Sequence, residues 1–109
     1  MAKARMSAEQ REEQKTKREG ELADLRAVLN TVWGRRFFWR LVSRCGPMRS
    51  AFDTNALVMA HSEGERNIGR WLWAEMEASC PEAWDVMRSE AKRTITAEAE
   101  NDKKQDDEA

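Results

Sequence analysis

The chain has 109 residues, with 19 lysines and arginines against 20 aspartates and glutamates and a formal charge of −1, so taken whole it is neither a nucleic-acid polycation nor an acidic tail. The near-zero sum hides a slope, because residues 1–49 carry 12 basic and 6 acidic side chains whereas residues 50–109 carry 7 and 14. With 36% charged residues and a mean hydropathy of −0.85 the chain is more polar than an average globular domain, yet its five tryptophans and three phenylalanines, all between Trp33 and Trp84, are too many for a disordered polymer. One small core flanked by charged arms is expected, and no second domain is expected within these 109 residues.

No window alternates apolar and polar residues as a half-buried strand does, and only Pro47, Pro81 and five glycines interrupt the helical patterns. The fold class is therefore all-α, a small bundle of three to four helices with charged, partly disordered N- and C-terminal arms. Residues 1–20 form the N-terminal arm, a frayed helix opened by a capping box between Ser7 and Gln10 and supported by the Glu13–Lys17 pair. Residues 21–93 form the helical domain. Leu22, Leu25, Val28 and Leu29 give its first helix an inner face, and Asn30 and Thr31 supply a stop and a new N-cap.

A second helix, about Val32 to Arg44, carries two adjacent apolar rows, Trp33/Phe37/Leu41 and Phe38/Val42/Cys45, and both are expected to face inward. Cys45-Gly46-Pro47 ends it, since Gly suits a left-handed position and Pro cannot continue the ladder. Phe52 in the connection is expected to plug the core. The third helix starts near Asp53 or Thr54 and reaches about Ser79, with Met59, Ile68, Trp71, Leu72 and Met76 on its buried side; Gly64 and Gly69 weaken it, and both helix and linker fit 56–62. Pro81 at N1 opens a fourth helix with Trp84, Met87 and Ala91 inward, which fades beyond Arg93. Residues 94–109, ending in a low-complexity charged run, are expected to be an acidic disordered tail.

The inventory for chemistry is sparse. Cys45 and Cys80 lie 35 residues apart without a CxxC or Cys/His cluster, so reduced, packing thiols are expected. His61 is the sole histidine, and a thiol–imidazole pair would need one of those cysteines to fold against it. His61-Ser62-Glu63 lacks the P-C-x-x-C of zinc deaminases, and ligands at 61, 63 and 65 of a helix would not converge. No glycine pattern cradles phosphate. Glu75, Glu77, Glu82 and Asp85 read as solvated helix faces. No catalytic residue, metal or cofactor is expected. The longest apolar run, Ala56 to Ala60, is far short of a membrane span, and Met1 to Gln10 does not resemble a signal peptide, so a soluble chain without membrane contact is expected.

The sharper feature is a lysine-free set of arginines, Arg35, Arg36, Arg40, Arg44 and Arg49, opposite the apolar face of the second helix. Arg makes bidentate, permanently charged contacts with carboxylate or phosphate. Three readings fit: internal ion pairing, docking on an acidic protein surface, or a phosphate-backbone clamp. Trp73, off the Trp71/Leu72/Met76 row, is expected to be exposed, and with the arginines it completes the candidate partner-binding set.

Gly34-Arg35-Arg36-Phe37-Phe38-Trp39-Arg40-Leu41, then Arg49-Ser50-Ala51-Phe52, then Glu63-Gly64-Glu65-Arg66-Asn67-Ile68-Gly69 with Trp71-Leu72, resemble in order the signature blocks of a small protein family of podophages and related prophages, of the Bordetella-phage type. The resemblance spans about Leu22 to Lys92. It implies a product of the virion morphogenesis region, with no catalytic residues to transfer. It further implies that Gly69 permits close helix approach, that Asn67 hydrogen-bonds the Cys45-Gly46-Pro47 turn, and that some of Arg35, Arg36, Arg40 and Arg66 pair with Glu63 or Asp53. The expected function is a non-enzymatic phage structural or head/tail assembly protein that binds virion proteins such as portal or scaffold, or a second copy of itself. It would be found in the host cytoplasm during assembly or in the virion. The alternative is a DNA-binding accessory protein of packaging or host takeover.

Overall fold

The structure, a computed structural model, describes residues 5–108. Residues 1–4 of the expected N-terminal arm and residue 109 of the expected tail lie outside the described residues. Four helices follow one another, α1 (Ala8–Leu29), α2 (Val32–Cys45), α3 (Ala56–Ser79) and α4 (Ala83–Glu108), and the chain is all-α across the described residues.

Local chemistry accounts for the helix ends. Ser7 caps α1 in a reciprocal box: its Oγ accepts from the Gln10 amide at 3.1 Å while Gln10 Oε1 accepts from the Ser7 amide at 2.9 Å. Thr31 caps α2, its Oγ1 accepting from the Gly34 amide at 3.0 Å and donating to the Val28 carbonyl at 2.8 Å, which closes the α1–α2 corner. Gly46 ends α2 with φ +59° and ψ +50°, a backbone conformation that L side chains resist. Asn55 caps α3, with Oδ1 accepting from the Leu57 and Val58 amides, so 56–62 is helix rather than linker. The fourth helix begins at Ala83, two residues later than a Pro81 N1 would place it, after a turn in which the Ala83 amide donates to the Cys80 carbonyl.

Three sets of contacts fix the directions of the helices. Arg18 meets Glu75, and Ser79 Oγ donates to the Leu22 carbonyl at 2.8 Å, so α1 and α3 run parallel. With Leu22 at Ser79, α2 starts beyond the C-terminal end of α3, and its Cys45–Pro47 turn comes back to Gly69, so α2 runs against α3. Trp39 stacks on Trp84 at 4.7 Å between centroids, and Arg35 meets Glu90, so α4 also runs against α2. The core between them holds Leu29, Phe38, Val42, Cys45, Leu72, Met76, Cys80, Ala83 and Met87, edged by Leu25, Trp39, Leu41, Trp73 and Trp84. Burying each large apolar side chain contributes about 1.5–3 kcal/mol. The buried Ser79 is satisfied twice, by the Leu22 carbonyl and by the Arg26 guanidinium, which donates to the Ser79 carbonyl at 2.7 and 3.0 Å.

Several expectations are corrected. Only the Phe38/Val42/Cys45 row of α2 is buried; Trp33 and Phe37 are 69% and 56% exposed, because the other helices all reach α2 from one side. On α3 the inward positions are Gly69, Leu72, Met76 and Ser79, while Met59, Ile68 and Trp71 face solvent, since small residues at 69 and 79 admit the closest neighbours. Phe52 is 82% exposed and the small Ala51 takes the buried place beside it. Asn67 Oδ1 accepts from Arg70 at 3.2 Å and makes no bond to the Cys45–Pro47 turn.

The N-terminal arm is the capped helix expected of it, whereas the C-terminal arm is helical where a disordered tail is expected. Residues 8–20 and 94–107 are exposed throughout, yet both are helical. In α4 the run beyond Arg93 has neither Gly nor Pro and includes the good helix formers Ala, Glu and Lys, and Thr94 and Thr96 return their hydroxyls to the Glu90 and Lys92 carbonyls at 3.0 Å. Because α4 opposes α2 and passes its N-terminal end near Glu90, the α4 arm projects beyond that end of α2. The molecule is accordingly elongated, 72 × 41 × 15 Å.

Candidate partner-binding surface

The six residues singled out from sequence divide into two groups. Arg35 is internally engaged: Nε donates to Glu90 Oε1 at 2.5 Å and Nη1 to the Leu29 carbonyl at 3.0 Å, joining the end of α1 and the start of α2 to the body of α4. Its acid is Glu90 of the fourth helix, and of the ion pairs that the resemblance implies, the one between Arg66 and Glu63 is present. Arg49 is engaged too, Nη2 donating to the Ser43 and Arg44 carbonyls at 3.0 and 3.1 Å and satisfying orphan acceptors at the C-terminus of α2. Trp73 is half-buried rather than exposed, edge-on to Trp84 at 4.4 Å, with Nε1 donating to Glu77 Oε1 at 2.6 Å.

Arg36, Arg40 and Arg44 are different. All three are exposed, and among the described residues none has an ion pair. Their i,i+4 spacing sets them in one row on the outer side of α2, where like charges repel by a few tenths of a kcal/mol per pair. Exposed Trp33 and Phe37 share that face, at the positions that place aromatics between the guanidinium groups, and Arg40 Cζ lies 5.8 Å from the Phe37 ring centroid. The face runs from Trp33 to Arg44, about 16 Å along the helix. It combines aromatic area with unneutralised guanidinium, the composition enriched at the centres of protein interfaces.

Sequence reasoning missed Trp33 and Phe37 as surface residues because they continue an apolar face wider than the core could cover. It also missed a shallow depression between residues 50–52 and the start of α3, which the exposed Phe52 and Met59 line. Arg66 lines that depression; its Nη1 bonds Glu63 and its Nε is buried without a partner.

The remaining chemistry-bearing groups lie apart from this surface. His61 Nε2 pairs with Glu65 Oε1 at 2.6 Å along α3, while Cys45 and Cys80 are buried. Burial pushes the Cys80 thiol above its ordinary pKa, and its hydrogen bond to Glu82 at 3.2 Å acts in the same direction. Among the described residues no three His, Cys, Asp or Glu side chains group as a metal site would require, and no helix is long and apolar enough to cross a membrane.

Residues 25–88, well over half of the chain and spanning all of α2 and α3, match the family model of Bbp19-like phage proteins. The chain belongs to the Bbp19-like phage protein family. No curated protein and no solved structure matches it. The family match contains the whole outer face of α2 and the Gly69 contact, and it ends before the α4 arm, so the Bbp19-like core is the packed bundle and the projecting helices lie outside the match.

Proposed function

We propose that this Bbp19-like protein is a non-enzymatic structural or assembly component of the phage that acts by binding other virion proteins, and that the outer face of α2 is its docking surface. The observation that carries the reading is the row Arg36, Arg40 and Arg44, exposed and without an acid inside the chain, with Trp33 and Phe37 beside it. Solvent-facing helices ordinarily alternate charges of both signs; a face built of Arg and aromatic residues suits a partner that presents carboxylates around an apolar centre. Arg35, Arg49 and Trp73 leave the candidate set, since each is engaged within the fold.

The tagged full chain, produced in cells that are making phage particles, should be recovered with virion proteins such as portal or scaffold. Recovery with none of them, together with absence from purified particles by mass spectrometry, would refute the proposal. A second reading, a DNA-binding accessory protein of packaging or host takeover, is favoured by the same arginine row, because guanidinium also grips phosphate. It predicts retardation of duplex DNA at low salt that weakens steeply as salt rises, and no retardation at low salt removes it.

A further inference from the structure

The projecting half of α4 repeats the pattern of the α2 face with opposite charge. Counting along each helix, Trp33, Arg36, Phe37, Arg40 and Arg44 fall in the same relative positions as Ile95, Glu98, Ala99, Asp102 and Asp106. Apolar residues thus correspond to apolar ones, and each of the three free arginines corresponds to an acid. All five α4 residues are exposed, and among the described residues none of the three acids has an ion pair. Glu98, Asp102 and Asp106 stand at i,i+4 spacing, so the acidic row repels itself just as the arginine row does, and each destabilises its own helix until the other neutralises it.

The two rows cannot meet within one chain while α4 is helical. The α4 helix runs against α2 through the Trp39–Trp84 and Arg35–Glu90 contacts, and past Glu90 it leaves the N-terminal end of α2, away from Arg40 and Arg44. Matching the rows residue by residue requires the helices to lie parallel, which a second copy can supply. We infer that the chain self-associates, with the α4 arm of one copy lying parallel along the outer face of α2 of another, Ile95 and Ala99 against Trp33 and Phe37, and Glu98, Asp102 and Asp106 against Arg36, Arg40 and Arg44. This rests on the reading of the α2 face as a docking surface and names its occupant as a second copy. Exchange in both directions closes a two-fold dimer; exchange in one direction builds a chain of copies.

Sedimentation equilibrium of the full-length protein tests it. The wild type should form a species of two or more chains at low salt that dissociates as salt rises. R36E/R40E/R44E and E98R/D102R/D106R should each weaken association by at least about tenfold, because each places like charges across the contact. Mixed one to one, the two variants should associate with each other, since each then meets its complement on both surfaces. All six positions are exposed, so both variants should fold, which circular dichroism verifies. A wild type that stays monomeric at low salt, association unchanged in either variant, or variants that fail to associate when mixed would overturn the inference. A monomer that still binds a virion protein through α2 overturns the exchange alone. Self-association that follows the charge swap, combined with virion-protein binding indifferent to α2, keeps α2 as the docking surface for a second copy and overturns other virion proteins as its partner.

Discussion

Gly69 sits against Pro47 so closely that a methyl group on its Cα would come within 2.9 Å of Pro47 Cδ and 3.0 Å of Cys45 Cβ. The neighbours are a proline ring and the first carbon of a side chain, neither of which can swing aside. Alanine at this position gains about 1 kcal/mol in helix propensity and loses about 1–3 kcal/mol to overpacking. G69A is therefore expected to destabilise the fold by about 1 kcal/mol in denaturant unfolding. Gly64, in the same helix with nothing within 4 Å of an added Cβ, is the control: G64A should stabilise by up to about 1 kcal/mol. Equal responses at the two positions would show that the close approach of α3 to the α2 turn is not what Gly69 provides.

Unfolding measurements should also separate the arginines. Arg35, half-buried between Glu90 and the Leu29 carbonyl, is expected to cost about 1–2 kcal/mol as R35A, because its loss leaves both acceptors unpaired. R36A, R40A and R44A should each fall within about 0.5 kcal/mol of wild type, as exposed positions without partners do. A double-mutant cycle with E90Q should assign coupling to Arg35 and none to Arg36.

The contact between α1 and α3 predicts an acid response. The Arg18 guanidinium, hydrogen-bonded at 2.7 and 2.8 Å, holds the Glu75 carboxyl below its ordinary value of 4.5. The folded state then binds that proton less readily than the unfolded chain, so the contact stabilises above about pH 4.5 and its contribution is lost as pH falls through the lower folded pKa. Wild-type stability should therefore fall more than that of E75Q as the solution is acidified below pH 4.5, the two curves converging. A constant offset between them down to the acid limit would contradict the assignment.

Thiol reactivity gives a check on the core. Cys80 is buried, with its pKa raised above 9.0 by that burial first and by the Glu82 hydrogen bond second. Alkylation of Cys80 in the folded protein at pH 7–8 should be slower by orders of magnitude than in denaturant, since the thiolate is the reacting species. Rapid modification under native conditions would mean that the α3–α4 turn opens readily.

Much of this architecture is legible in the sequence, and the gaps have physical causes. Helix ends are written in local chemistry, so Ser7 with Gln10, Thr31 and Cys45-Gly46-Pro47 reveal three of them. Burial is a property of the assembled bundle. Two apolar rows on α2 are equally suited to a core, and only the arrival of α1, α3 and α4 on the side of Phe38 and Val42 leaves Trp33 and Phe37 outside. Ser79 is polar and gives no inward signal, yet it is buried because Leu22 and Arg26 satisfy it. The arginine row is visible as a pattern, but the separation of Arg35 and Arg49 from Arg36, Arg40 and Arg44 depends on Glu90 and on the path of the chain after Gly46, which spacing alone does not disclose. The helix of the C-terminal arm is hidden for the opposite reason: residues 94–107 bury nothing, and their order rests on propensity and backbone bonding.

Docking of a virion protein on the outer face of α2 makes binding depend on its arginines. Its most direct test is the dissociation constant of the full chain for the virion protein recovered with it, compared between wild type and R36E/R40E/R44E. A loss of at least about tenfold is expected in a variant that melts as the wild type does. Wild-type affinity in that folded variant would contradict it.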